Sequence, residues 1–158
     1  MVMIELLSDL INEDVIELNV NATNWEEAVR IGGELLEKNH AVENRYVDAM
    51  VHMVRKLGPY IVISKGIAFP HARPEDGVLK TGLSLITLKE GIEFGDKDND
   101  PIRLIISFCS TDAEGHLQAL SELVDFIRDE AAVDSVINAR SKKEIIRIIE
   151  RLYSRVEY

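Results

Sequence analysis

Apolar positions in the first sixty residues recur mostly at helical spacing. Ile4, Leu7, Leu10 and Ile11 predict a short opening helix, and Val15-Ile16-Glu17-Leu18-Asn19-Val20 predicts a strand. Thr23 with Glu26, or Asn24 with Glu27, can cap a helix in which Trp25, Ala28, Val29, Gly32, Leu35 and Leu36 share one face, ending near Asn39 and His40. Val47, Met50, Val51, Val54 and Leu57 mark a second helix that stops at Gly58-Pro59. Arg55 lies near the edge of that stripe, and His52 falls away from it. His40 and His52 read as solvated surface residues.

After Pro59 the pattern changes to unbroken apolar runs. Tyr60–Ile63, Ile67–Phe69, Leu83–Leu88 and Ile102–Phe108 suit strands covered by helices on both faces, and Lys97–Pro101 is a polar turn. The last run leads through Cys109–His116 into a helix carrying Leu117, Leu120, Leu123, Val124 and Ile127. Thr111 with Glu114 fits a capping box that puts His116 within about the first turn. Two further helices follow, one around Ala131 to Ala139 and one after Ser141, where Ser141 and Glu144 form another capping pattern and Ile145, Ile148, Ile149 and Leu152 supply the apolar face. With no repeat or linker, residues 1–158 are expected to form a single α/β (α+β) domain, a central mixed β-sheet flanked by helices on both faces.

Composition narrows the partners. A chain of 158 residues with 46% hydrophobic residues can bury a sizeable core, and 18 Lys and Arg against 28 Asp and Glu leave a net charge of −10. That charge opposes binding to nucleic acid or to an anionic membrane surface. The first nine residues carry acids where a signal peptide is basic, and no apolar run approaches the roughly 20 residues of a membrane span. A cytoplasmic protein is expected. Cys109 is the one cysteine, so neither an internal disulfide nor a cysteine zinc cage can form.

The candidate chemistry centres on the stretch Gly66-Ile67-Ala68-Phe69-Pro70-His71-Ala72-Arg73-Pro74-Glu75-Asp76-Gly77. Pro70 and Pro74 fix φ and bias Phe69 and Arg73 away from helix, so the backbone around His71 is extended or turned. A neutral imidazole aimed by a stiff backbone can act as nucleophile, base or ligand; it can equally tie down its own turn. His116, near a helix start, is a candidate phosphate or oxyanion donor as well as a plain surface histidine. Three reaction classes compete. A thiol enzyme built on Cys109 meets the difficulty that Cys109 continues an apolar strand, which suits a packed thiol. A metal site from His71, Glu75, Asp76 and His116 lacks the familiar ligand spacings. Phosphoryl transfer through a phosphohistidine asks only for an outward nitrogen, donors for three oxygens and a docking surface.

Gly66-Ile67-Ala68-Phe69-Pro70-His71-Ala72-Arg73 resembles the histidine motif of the enzyme IIA components of the phosphoenolpyruvate-dependent sugar phosphotransferase system (PTS), mannitol/fructose class. The likeness extends to Tyr46–Met50, Phe94-Gly95, Asn99–Pro101 and Asp112–His116. Gly58–Ile63 followed by Pro70–Glu75 is similar to the ascorbate-type branch. The resemblance implies a carrier that accepts a phosphoryl group from HPr on His71, forming a tele-phosphohistidine. It then passes the group to a cysteine of enzyme IIB while the membrane enzyme IIC imports a sugar, L-ascorbate in that branch. It further implies His116 as the second active-site histidine and Arg55 as the arginine that assists the phosphoryl group. No cofactor or metal is implied, and self-association as a homo-oligomer stays open. The alternative is a regulatory module in which phosphorylation of His71 controls binding to a target protein.

Overall fold

The computed structural model describes residues 7–154. Its sheet has five strands, β1 (Ile16–Val20), β2 (Val62–Ser64), β3 (Ile67–Ala68), β4 (Gly82–Ile92) and β5 (Ile102–Cys109), in the order β1-β4-β5-β3-β2. β1 runs parallel to β4 and β3 parallel to β5, whereas the β4–β5 and β2–β3 pairs are antiparallel, so the sheet is mixed as expected. The helices are α1 (Leu7–Leu10), α2 (Trp25–Lys38), α3 (Asn44–Leu57), α4 (Ala113–Arg128), α5 (Glu130–Ile137) and α6 (Lys142–Ser154).

Alternation along the central strands divides the interior into two layers. Leu83 and Leu85 of β4 and Leu104, Ile106 and Phe108 of β5 face α1, α4, α5 and α6. Ile86 and Leu88 of β4, with Ile102, Ile105 and Cys109 of β5, face α2 and α3. Successive side chains point to opposite faces, so the covered stretches of these strands are mainly apolar, with Ser84, Thr87 and Ser107 as buried polar exceptions.

Local signals explain the helix ends. Asn24 caps α2, its Oδ1 accepting from Glu27 N at 2.9 Å while Glu27 Oε2 accepts from Thr23 Oγ1. α3 stops where Gly58 adopts φ +77° ahead of Pro59. Three expectations need correction. Tyr60 and Ile61 lie in a 3-10 turn (Pro59–Ile61) rather than a strand, because Pro59 at its first position cannot donate to a ladder. The cap of α4 is Asp112, whose Oδ1 accepts from Gly115 N at 2.7 Å, rather than Thr111. On α4 the buried set is Ala119, Glu122, Leu123 and Phe126, while Leu117 and Val124 are exposed. Residue 4 of the expected opening helix lies outside the described residues.

Candidate active site

His71 follows β3 on a segment whose backbone is tied on both sides of the histidine. Phe69 N donates to Ile61 O at 2.7 Å, Phe108 N to Pro70 O at 3.1 Å and Ala72 N to the Tyr46 hydroxyl at 2.9 Å. Beyond it, Arg73 is extended (φ −87°, ψ 155°) and opens a 3-10 turn (Pro74–Asp76), with Asp76 Oδ2 accepting from Arg73 N. Arg45 at the start of α3 reaches Glu75 O at 3.0 Å, fastening that turn to the helix layer. The stiffness expected from Pro70 and Pro74 is thus reinforced by hydrogen bonds from three elements.

The ring itself is half-buried. Its Nδ1 lies 2.9 Å from Phe69 O. A carbonyl oxygen only accepts, so Nδ1 carries the proton, and in the neutral ring the lone pair belongs to Nε2. The ring packs against Phe69 in a tilted contact and against Tyr60 in a T-shaped one, with centroids 5.4 and 5.8 Å away. Phe69 is fully buried and stacked on Phe108, so it belongs to the core and is not an exposed docking residue.

His71 opens onto a cleft of about 470 Å³ whose walls include Met53, Tyr60, Arg73, Asp112, Ala113 and Leu117. The start of α4 therefore borders the same space as His71, and His116 is the fourth residue of that helix. The His116 side chain lies outside the described residues. Arg55 goes elsewhere: it pairs with Glu26 of α2 and does not line the cleft. Tyr46 and Met53 are the residues that α3 presents there, and Arg55, two positions on from Met53, stands roughly 200° around the helix from it.

The charged groups near His71 are largely spoken for. Arg73 pairs with Asp76 and Glu75 at the rim. Burial raises the Asp76 carboxyl, but the hydrogen bonds and charge of Arg73, with Arg45 beyond, outweigh this and hold it below the ordinary carboxylate range. Cys109 is buried at the end of β5 with its thiol against Lys80 O and Gly82 O, and burial pushes its pKa up to about 12. A thiol so placed stays protonated at neutral pH, which removes the thiol-enzyme reading. Among the described residues no group of three or more His, Cys, Asp or Glu comes together to hold a metal ion.

Fold and site together define a mixed-sheet α/β protein of the mannitol enzyme IIA type, with one loop-held histidine at the strand ends. Residues 9–152 match the family described as phosphoenolpyruvate-dependent sugar phosphotransferase system, EIIA 2, and the chain belongs to that family. It is 40% identical over 148 residues to the ascorbate-specific PTS system EIIA component of Salmonella choleraesuis, covering 93% of this chain and 96% of the relative. Among solved structures it is similar to the mannitol-specific cryptic phosphotransferase enzyme IIA CmtB from Escherichia coli, at TM-score 0.82 and 34% identity over 92% of this chain and 98% of that one. It is also similar to a chain of the complex of enzyme IIAMTL and phosphorylated enzyme IIBMTL from Escherichia coli, at TM-score 0.80 and 32% identity over 89% of this chain and 97% of that one.

Proposed function

We propose that residues 1–158 form one enzyme IIA domain that carries a phosphoryl group on His71 in the cytoplasm, between HPr and a cysteine of enzyme IIB, during uptake of L-ascorbate or a close chemical relative. The observation that carries this reading is the Nδ1–H to Phe69 O hydrogen bond, which leaves Nε2 as the nucleophilic nitrogen of a ring held at an open cleft. The lone pair on Nε2 attacks phosphorus as the bond from phosphorus to HPr breaks. In the second step the enzyme IIB thiolate attacks, and the Nε2–P electrons return to the ring as the lone pair. As the ring gains positive character, the Phe69 carbonyl stabilises Nδ1–H.

The phosphoryl oxygens need donors. The N-terminal turn of α4 borders the cleft, and a helix start favours negative charge through its amides and dipole. His116, in that turn, is the proposed second donor. Arg73 is the one cation that lines the cleft among the described residues, whereas Arg55, engaged with Glu26, would have to leave its partner to take part. The ascorbate assignment is supported by the ascorbate-specific relative, and the enzyme IIB acceptor by the likeness to a chain solved in complex with enzyme IIB. Among the described residues no helix is long and apolar enough to cross a membrane; in the proposed relay import itself is the task of the membrane component.

The test is a phosphoryl relay with purified proteins: labelled phosphoenolpyruvate, enzyme I and HPr, then this chain, then enzyme IIB. Acid-labile label that requires His71 and chases onto an enzyme IIB cysteine is expected. Label on His71→Ala, or none on wild type with competent HPr, would overturn the assignment. Label that stays on His71 in the presence of enzyme IIB would favour the regulatory alternative.

A further inference from the structure

The register of β3 and β5 carries information beyond the strands themselves. Ile67 pairs with Leu104 and Ala68 with Ile105 in parallel, and the same offset sets His71 opposite Phe108. In a parallel ladder the N–H and C=O of one residue reach the residues before and after its partner. Phe108 should therefore bond to Pro70 and to Ala72. The first bond is present, Phe108 N to Pro70 O at 3.1 Å. At the second place a side chain intervenes: Ala72 N donates to the Tyr46 hydroxyl at 2.9 Å, and that hydroxyl donates to Phe108 O at 2.8 Å. The Ala72 carbonyl stands farther off, at 3.3 Å, so the single hydroxyl proton goes to Phe108.

We propose that Tyr46 is a positioning residue for the transfer: its hydroxyl, inserted between Ala72 N–H and Phe108 C=O, holds the chain after β3 apart from β5 at His71 and so sets the line along which the imidazole meets phosphorus. The proposal rests on His71 being the phosphoacceptor. Two hydrogen bonds in series span a wider gap than one, so the relay keeps the strand extension splayed where a direct bond would zip it shut. The phenol ring is fully buried in the layer formed with α2 and α3, which fixes the hydroxyl from below. Burial raises its pKa well above the ordinary phenol value, so the donated proton stays in place across the physiological range. Without the hydroxyl, Ala72 N–H and Phe108 C=O either lose a buried partner or pair directly and draw His71 towards β5. Each outcome moves the ring.

Tyr46→Phe keeps the ring and deletes the relay. Transfer from phospho-HPr, measured across HPr concentrations, should slow by at least about tenfold at saturation, with a much smaller change in KM for HPr because the Tyr46 side chain is fully buried and offers a partner protein no exposed surface. The 15N shifts of the His71 ring should move in the same variant. Transfer within about twofold of wild type with unmoved His71 shifts overturns the proposal. Should Tyr46→Phe not fold, the wild-type protein decides. A slowly exchanging Tyr46 hydroxyl proton in NOE contact with the Ala72 amide supports the relay, and a hydroxyl in rapid exchange with no such contact overturns it. Failure of wild type itself to take up phosphate strikes the phosphoacceptor reading, while the His71 shifts in Tyr46→Phe still report on the relay separately.

Discussion

Glu122 is the acid that α4 turns inward, 6% exposed, with Oε2 accepting from Leu7 N at 2.9 Å. Burial raises its pKa; the Leu7 amide and Gln118 pull it back, and Asp9 and Asp125 add to the rise. A carboxyl whose folded pKa exceeds its unfolded value binds its proton more tightly when folded. Its contribution is therefore fully present below the unfolded value, about 4.3, and is lost as pH rises through the folded one. Glu122→Gln, which keeps the acceptor for Leu7 N, should flatten the fall in stability just above that pH and leave the variant more stable than wild type near neutrality. Urea unfolding across pH reads this directly, and parallel curves for the two proteins would contradict it. At this scale the sequence was legible for His71, because two flanking prolines restrict the backbone whatever the rest of the chain does. It was not legible for Glu122 or for the Tyr46 hydroxyl. Spacing places a residue on a helix face, but what a polar atom meets there depends on chain far away, Leu7 in one case and Ala72 and Phe108 in the other. Arg55 shows the same limit: its neighbour at the tip of the side chain is Glu26, twenty-nine positions earlier.

Between elements, α2 packs closely on the sheet at Gly32. Ser84 Oγ donates to Gly32 O at 2.8 Å, and a Cβ placed at Gly32 would stand 2.3 Å from Ser107 Oγ but 3.4 Å from Ser107 Cβ. Ser107 Oγ is buried and, among the described residues, has no hydrogen-bond partner. Gly32→Ala gains about 1 kcal/mol of helix propensity but sets a methyl against that hydroxyl, an overpacking cost of about 1–3 kcal/mol. Net destabilisation is expected. In the Ser107→Ala background the clashing oxygen is gone, so the same change should stabilise by up to about 1 kcal/mol. Equal losses for Gly32→Ala in both backgrounds, measured by denaturant unfolding, would refute this reading of the interface. Elements with strong local chemistry were the legible ones: α2 between Asn24 and Asn39, α3 up to Gly58, and the apolar strands β4 and β5. The cap of α4 shifted by one residue because Thr111 and Asp112 are both competent caps and only the folded loop, with Ser110 Oγ donating to Asp112 O, selects between them. Leu117 and Val124 joined the apolar stripe by spacing alone, yet the layer beneath α4 takes the neighbouring face.

The whole molecule places its candidate site where a parallel pair, β3 and β5, ends between two helix layers. The strand order behind that placement was not legible, since it depends on pairings between residues up to about seventy positions apart that leave no local trace, such as Ile16 with Leu85. What the sequence did supply was the sheet-and-helix class, through the apolar runs after Pro59 and the helical stripes around them, and the resemblance carried by the motif around His71. The central claim is that His71 takes the phosphoryl group through Nε2, because Nδ1 is committed to Phe69 O. The decisive measurement is 15N and 31P spectroscopy of the ring-labelled protein after phosphorylation by HPr. Phosphorus bonded to Nε2 of His71, with Nδ1 still protonated, is the expected result. Phosphorus on Nδ1, or on any residue other than His71, would contradict the account.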